Sequence, residues 1–149
     1  ALARLFALVP PPQPEDVALT RALGRVLLRP VSARRDQPPF AAAAMDGYAL
    51  ADAQPRPGAR YRVIGQSAAG RRFDGEVRAG EAVRIFTGAP VPDGAQSVVI
   101  QEDAQATDDG ITLLPALGAG PNIRPAGADF RQGLEMAAPL RLRPADVAL

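Results

Sequence analysis

The sequence predicts a mixed α+β chain, mostly β, centred on a small antiparallel barrel or sandwich. Between Asp46 and about Leu114, short β-rich segments are separated by the turn dipeptides Asp46-Gly47, Pro57-Gly58, Asp74-Gly75, Asp93-Gly94 and Asp109-Gly110, a rhythm that suits hairpins. Helical periodicity is confined to the two ends of the chain. The 16 prolines and 14 glycines exceed the usual ~12% for that pair without the period of collagen or the polarity of a disordered tract. Elements should therefore be short and turns numerous.

From the N-terminus, Leu2, Leu5, Phe6 and Val9 fall at helical spacing, and Pro10-Pro11-Pro12 stops that helix. Leu19, Ala22 and Leu23 suit a short helix with Thr20 as a possible cap and Gly24 as its end, before a strand at Arg25-Val26-Leu27-Leu28. The clearest hairpin sets Ser97-Val98-Val99-Ile100-Gln101-Glu102 against Ile111-Thr112-Leu113-Leu114, closed around Thr107-Asp108-Asp109-Gly110. Gly118 to Gly133 reads as loop, and Arg143 to Leu149 as the first turns of a helix. Apolar elements cut off at both ends lead us to expect a piece of a longer protein.

Composition limits the chemistry. The 149 residues are enough for one ordinary core or two small ones. Histidine and cysteine are absent and all 17 basic residues are arginine, which removes disulfides, tetrahedral zinc sites, thiolate nucleophiles, imidazole bases and Schiff bases. Carboxylates, hydroxyls, arginine and backbone amides remain, a set suited to a hard cation such as magnesium and to phosphate. A net charge of +1 with scattered arginines gives no stripe for nucleic acid. No apolar run approaches the ~20 residues of a membrane span, and a cytoplasmic location is expected.

Three stretches could carry chemistry. In Met45-Asp46-Gly47-Tyr48, the acid is either turn punctuation or a ligand directed into a cleft. In Arg84-Ile85-Phe86-Thr87-Gly88-Ala89-Pro90-Val91-Pro92-Asp93-Gly94-Ala95, a strand empties into a rigid loop. The backbone N–H groups of that loop and the Thr87 hydroxyl could hold an anion, or the turn could simply bond itself. In Asn122-Ile123-Arg124-Pro125-Ala126-Gly127-Ala128-Asp129, a guanidinium precedes an acid by five residues, for anion binding or a surface ion pair. The acids Glu102-Asp103 and Asp108-Asp109 lack the alternating spacing of a calcium loop and read as a solvated hairpin end.

Taken together in this order, those three stretches, with Pro38-Pro39-Phe40 and Val98-Val99-Ile100-Gln101-Glu102, closely resemble the MoeA family of molybdopterin molybdotransferases, including the gephyrin E domain. The resemblance covers nearly the whole chain. It implies an enzyme of molybdenum cofactor biosynthesis that inserts molybdate into adenylylated molybdopterin and releases AMP with the help of magnesium. Residues 1–45 and 118–149 would form an elongated helix/strand dimerisation domain, with residues 46–117 a β-barrel-like domain inserted into it. A nucleotide-binding domain would lie beyond Leu149, leaving the isolated chain folded but inactive. The full-length protein would be a homodimer that binds a pterin nucleotide, and neither nucleic acid nor membrane.

By position, the resemblance assigns Asp46 and Thr87 to the catalytic site, with Asp46 also a metal ligand, and Gly88, Arg124 and Asp129 to substrate or anion binding. The family commonly has Asp-Asn-Ser before its Ala-Met-Asp-Gly, where this chain has Ala41-Ala42-Ala43. Loss of those hydrogen-bonding side chains opens the alternative of a non-catalytic scaffold or dimerisation module of the same fold.

Overall fold

The computed structural model describes residues 2–11 and 13–149, so Ala1 of the first helix and Pro12 of its proline stop lie outside the described residues. Along the chain run α1 (Leu2–Phe6), β1 (Val26–Leu27), β2 (Val31–Ser32), β3 (Ala42–Ala43), β4 (Gly47–Leu50), β5 (Arg60–Ser67), β6 (Glu81–Ile85) and β7 (Ser97–Ile100). They continue with β8 (Ala104–Ala106), β9 (Gly110–Leu113), β10 (Ile123–Arg124), β11 (Glu135–Met136), β12 (Leu140–Arg141) and α2 (Pro144–Ala148). The chain divides into two compact units, residues 1–32 with 135–149 and residues 33–134.

The first unit is built from two antiparallel ribbons, β1 with β12 and β2 with β11, two residues long on each strand. The helix expected over Leu19–Leu23 is only a 3-10 turn, Leu19–Arg21; Thr20 lies inside it, and Ala18 precedes it without a side-chain cap. The uncapped segment is too short to offset the cost of α-helix nucleation; Ala22 is its C-cap, and Gly24, at φ +76°, follows two residues on. At the other end α2 is capped: the Arg143 N–H donates to Asp146 Oδ2 at 2.8 Å and Pro144 opens the first turn.

The second unit contains a six-stranded sheet in the order β7-β4-β6-β5-β9-β8. All its pairs are antiparallel except β5 with β6, which is parallel, a departure from the expected antiparallel barrel. β7 and β8 are the two edges, yet only the 3-10 turn Gln101–Asp103 joins them. Three residues reach roughly 10 Å, whereas six flat strands would set the edges about 24 Å apart. The sheet therefore curls.

The same order corrects the expected hairpin. β9 pairs with β8, Ala106 opposite Ile111, while Ser97–Ile100 pairs with β4. Consecutive residues explain why Val98-Val99 reads as continuously apolar. Ala49, Val83, Ile85 and Val98 belong to one core with Ala43, Val77 and Ala89, and Leu50, Ala82 and Val99 belong to a second with Tyr61, Ile111 and Leu113. Neighbours on a strand face opposite ways, so both faces of the sheet are covered.

Candidate functional site

β3 answers the question raised by its alanines. The Val91 N–H donates to Ala41 O at 2.9 Å, the Ala43 N–H to Ala89 O at 3.0 Å, and the Gly88 N–H to Ala43 O at 2.9 Å. The same short stretch pairs with β10, Arg124 opposite Ala42 and Ile123 opposite Ala43. Ala42 and Ala43 are 6% and 2% exposed. Small side chains let this backbone lie between the loop after β6 and β10, and backbone bonds alone set the path into Asp46.

The Asp46-Gly47 dipeptide is a strand entry and not the turn that its composition suggests. Gly47 pairs with Ile85 on one side and Ile100 on the other, and a Cβ there would land on the Val99 carbonyl oxygen. Glycine is required by close approach of a neighbouring strand. Its placement leaves Asp46 at the rim of the sheet, where Asp46 Oδ1 accepts both the Thr87 N–H and the Thr87 hydroxyl at 2.7 Å. Those two bonds, first the hydroxyl and then the amide, together with the nearby Arg84 charge, hold the Asp46 carboxyl below the ordinary carboxylate range.

The donors at the head of the loop, Thr87 to Ala89, are committed. The hydroxyl of Thr87 has one proton, and Asp46 takes it, so the Thr87 oxygen presents lone pairs outward. The Gly88 N–H goes to Ala43 O and the Ala89 N–H to Phe86 O at 2.9 Å, so these amides are engaged within the protein and do not stand open for an anion. Gly88 itself has φ +80°, and nothing lies within 4 Å of where its Cβ would be. That leaves open space above the loop.

Arg124 and Asp129 form a separate ion pair at 2.5 Å, on the segment that pairs with β3. Among the described residues no hydrogen bond joins it to Asp46 or Thr87. The Asp129 N–H donates to Gln37 O and the Gly127 N–H to Pro38 O, both at 2.9 Å, which folds this loop over the Pro38 segment. The acids after β7 are dispersed: Asp103 Oδ2 accepts the Gly118 N–H at 2.6 Å, and Glu102 accepts from Gln101. Among the described residues no group of three or more acids is placed to hold a metal ion, and no helix is long and apolar enough to cross a membrane.

Sequence reasoning did not single out Arg84 or Gln101. Arg84 Nη2 donates to Gln101 Oε1 at 2.5 Å, and the Gln101 N–H donates to Asp46 O at 3.0 Å. The available signal was a cation in the otherwise apolar strand Ala82-Val83-Arg84-Ile85-Phe86.

A curled sheet whose rim carries a carboxylate–hydroxyl pair, lying in sequence between the two segments of a ribbon unit, defines a two-unit module with oxygen-donor chemistry. The chain belongs to the MoeA family: the description of its N-terminal region, domain I and II, matches residues 1–149. It is 35% identical over 124 residues to a molybdopterin molybdenumtransferase of Haemophilus influenzae, covering 83% of this chain and 31% of that protein. It is 30% identical over 141 residues to one of a Nostoc species, covering 91% and 32%. A crystal structure of a molybdopterin biosynthesis moeA protein from Pyrococcus horikoshii matches at TM-score 0.73 and 37% identity, over 90% of this chain and 37% of the other. The chain thus spans about a third of the length of the curated relatives it matches.

Proposed function

We propose that this chain is the N-terminal part of an enzyme of molybdenum cofactor biosynthesis that inserts molybdate into adenylylated molybdopterin and releases AMP. The observation that carries the reading is the Asp46–Thr87 pair, held at 2.7 Å at the open rim of the sheet, in a chain whose relatives are named for molybdenum transfer to molybdopterin. Asp46 stays ionised across the neutral range because Thr87 and Arg84 favour its charged form. Thr87 orients that carboxylate and offers its own lone pairs beside it.

Magnesium fits this pair in one mode. Asp46 Oδ2 makes no hydrogen bond among the described residues, and it and Thr87 Oγ1 are hard oxygen donors with no further carboxylate grouped around them. Magnesium commonly keeps its waters, takes one or two protein carboxylates, and draws its other ligands from substrate phosphate. When bound it would neutralise phosphate charge and polarise the phosphoanhydride. Arg124, steadied by Asp129, supplies a guanidinium for oxyanion contact, and Gly88 leaves room for the substrate to approach.

In this reading residues 1–45 and 118–149 serve an elongated dimerisation domain and 46–117 the inserted domain, in a cytoplasmic homodimer. The 149 residues alone are inactive, because the nucleotide-binding part lies elsewhere in the full-length protein. The backbone anchoring of Ala41–Ala44 favours the enzyme over a scaffold, since Asp46 is placed without the family's polar side chains.

The test is magnesium-dependent molybdate insertion by the full-length protein and its Asp46→Asn variant. Asparagine keeps an acceptor for Thr87 and removes the charge, so activity should fall on the order of a hundredfold with the fold intact. Equal activity of the two proteins would return Asp46 to a purely structural role, and an inactive natural protein would favour the scaffold.

A further inference from the structure

Arg84 lies on β6 directly opposite Tyr48 of β4. Its guanidinium carbon is 5.0 Å from the centre of the Tyr48 ring and 4.9 Å from that of Phe86, so the cation is shared by two aromatic groups. Nη1 donates to Gly47 O at 3.2 Å and Nη2 to Gln101 Oε1 at 2.5 Å. Among the described residues Arg84 forms no ion pair with a carboxylate. One side chain therefore touches the residue after Asp46, the residue before Thr87, and Gln101, whose N–H holds the Asp46 carbonyl at 3.0 Å.

We propose that Arg84 is a positioning residue of the Asp46–Thr87 site, holding the two together through its planar fork and its stacking on Tyr48 and Phe86 rather than through charge alone. The inference rests on the function proposed above. Lysine keeps the charge but is a point donor on a flexible stem that can neither fork between Gly47 O and Gln101 nor offer a planar, delocalised cation to two rings. A misplacement of about 1 Å in a catalytic constellation can cost a hundredfold in rate. A clamp of this kind acts on turnover more than on substrate affinity.

The experiment uses the full-length protein in the molybdate-insertion assay, comparing Arg84→Lys and Arg84→Met with Asp46→Asn and Thr87→Ala, alongside hydrogen exchange of the Thr87 amide. Both Arg84 variants should lower kcat roughly tenfold to a hundredfold while leaving the KM for molybdate within about threefold. Lysine should do no better than methionine, and the Thr87 amide should exchange faster in both. A lysine variant with the natural kcat overturns the inference, because charge alone would then suffice. So does a raised KM with unchanged kcat, which would place Arg84 on the anion itself. Should the methionine variant fail to fold, the lysine variant decides the question alone. If Asp46→Asn and Thr87→Ala retain full activity, the site reading falls and the inference with it. If those two collapse while Arg84→Lys does not, only the role of Arg84 is lost.

Discussion

Leu50 and Ile85 in the sheet unit are fully buried, whereas Leu5 and Phe6 in the ribbon unit stand 59% and 71% exposed. The contrast holds along both segments. Among the described residues, every fully buried side chain of appreciable volume lies between Leu50 and Leu113, while the ribbon unit buries only Ala22 among its apolar residues and exposes Leu2, Leu8, Val9, Leu19 and Leu23. The sheet unit closes because successive residues of β4, β6 and β7 feed two cores, and curling brings its edges near each other. Ribbons of two residues on each strand are marginal on their own. Their apolar side chains are free for burial against further protein surface, as the dimerisation reading requires.

The largest expected effect breaks the sheet unit and spares the ribbon unit. Leu50→Ala removes a fully buried side chain and should cost about 2–5 kcal/mol in chemical denaturation. Leu5→Ala should shift the same transition by less than about 0.5 kcal/mol. Comparable losses from the two would show that the ribbon unit shares the cooperative core.

A smaller effect sharpens the contrast at one hydrogen bond. Tyr61 is 5% exposed and its hydroxyl donates to Asp52 Oδ2 at 2.5 Å. Burial, and then the Asp52 carboxylate, push the phenol well above its usual range. Tyr61→Phe should cost about 1–2 kcal/mol near neutrality. The folded value is raised above the unfolded one of about 10, so this contribution is complete below that pH and is lost as pH rises toward the folded value. Denaturation at pH 8 and pH 11 should show the natural protein losing its advantage over Tyr61→Phe at the higher pH. A constant difference would assign the stabilisation to packing.

The residues that the sequence made legible are those whose partners are local in character or whose motif stands in one stretch. Asp46, Thr87 and the pair Arg124 with Asp129 could be named from spacing and resemblance, and the mostly β character followed from the turn dipeptides. The partner of β9 was not legible, because Ser97–Ile100 and Ala104–Ala106 both suit a strand before Asp109-Gly110, and periodicity does not choose between them. Arg84 and Gln101 were hidden for a related reason. Their contacts depend on the register of β6 against β4 and on the turn after β7, long-range pairings that no local pattern encodes. Gly47 was read as turn chemistry when its requirement is steric, imposed by Val99 some fifty residues away.

The smallest effect tests whether one ion pair of the ribbon unit, Arg143 with Asp146, orders the helix that it opens. Asp146 accepts the Arg143 N–H at 2.8 Å and two bonds from the Arg143 guanidinium at 2.9 Å, at the start of α2. Those bonds, side chain first and backbone second, pull the Asp146 carboxyl down to about 2. A depressed folded value means that the contribution is present above the unfolded value of about 3.9 and is lost as pH falls through about 2. Arg143 stays charged throughout, so the titration belongs to Asp146. Amide protection in α2, read at the Val147 N–H that bonds Arg143 O at 3.2 Å, should therefore be lower in Asp146→Asn than in the natural chain at pH 5, and the two should converge near pH 2. Equal protection at pH 5 would mean that α2 is ordered by the turn itself and not by the charge within it, leaving the Arg143–Asp146 pair without a structural role.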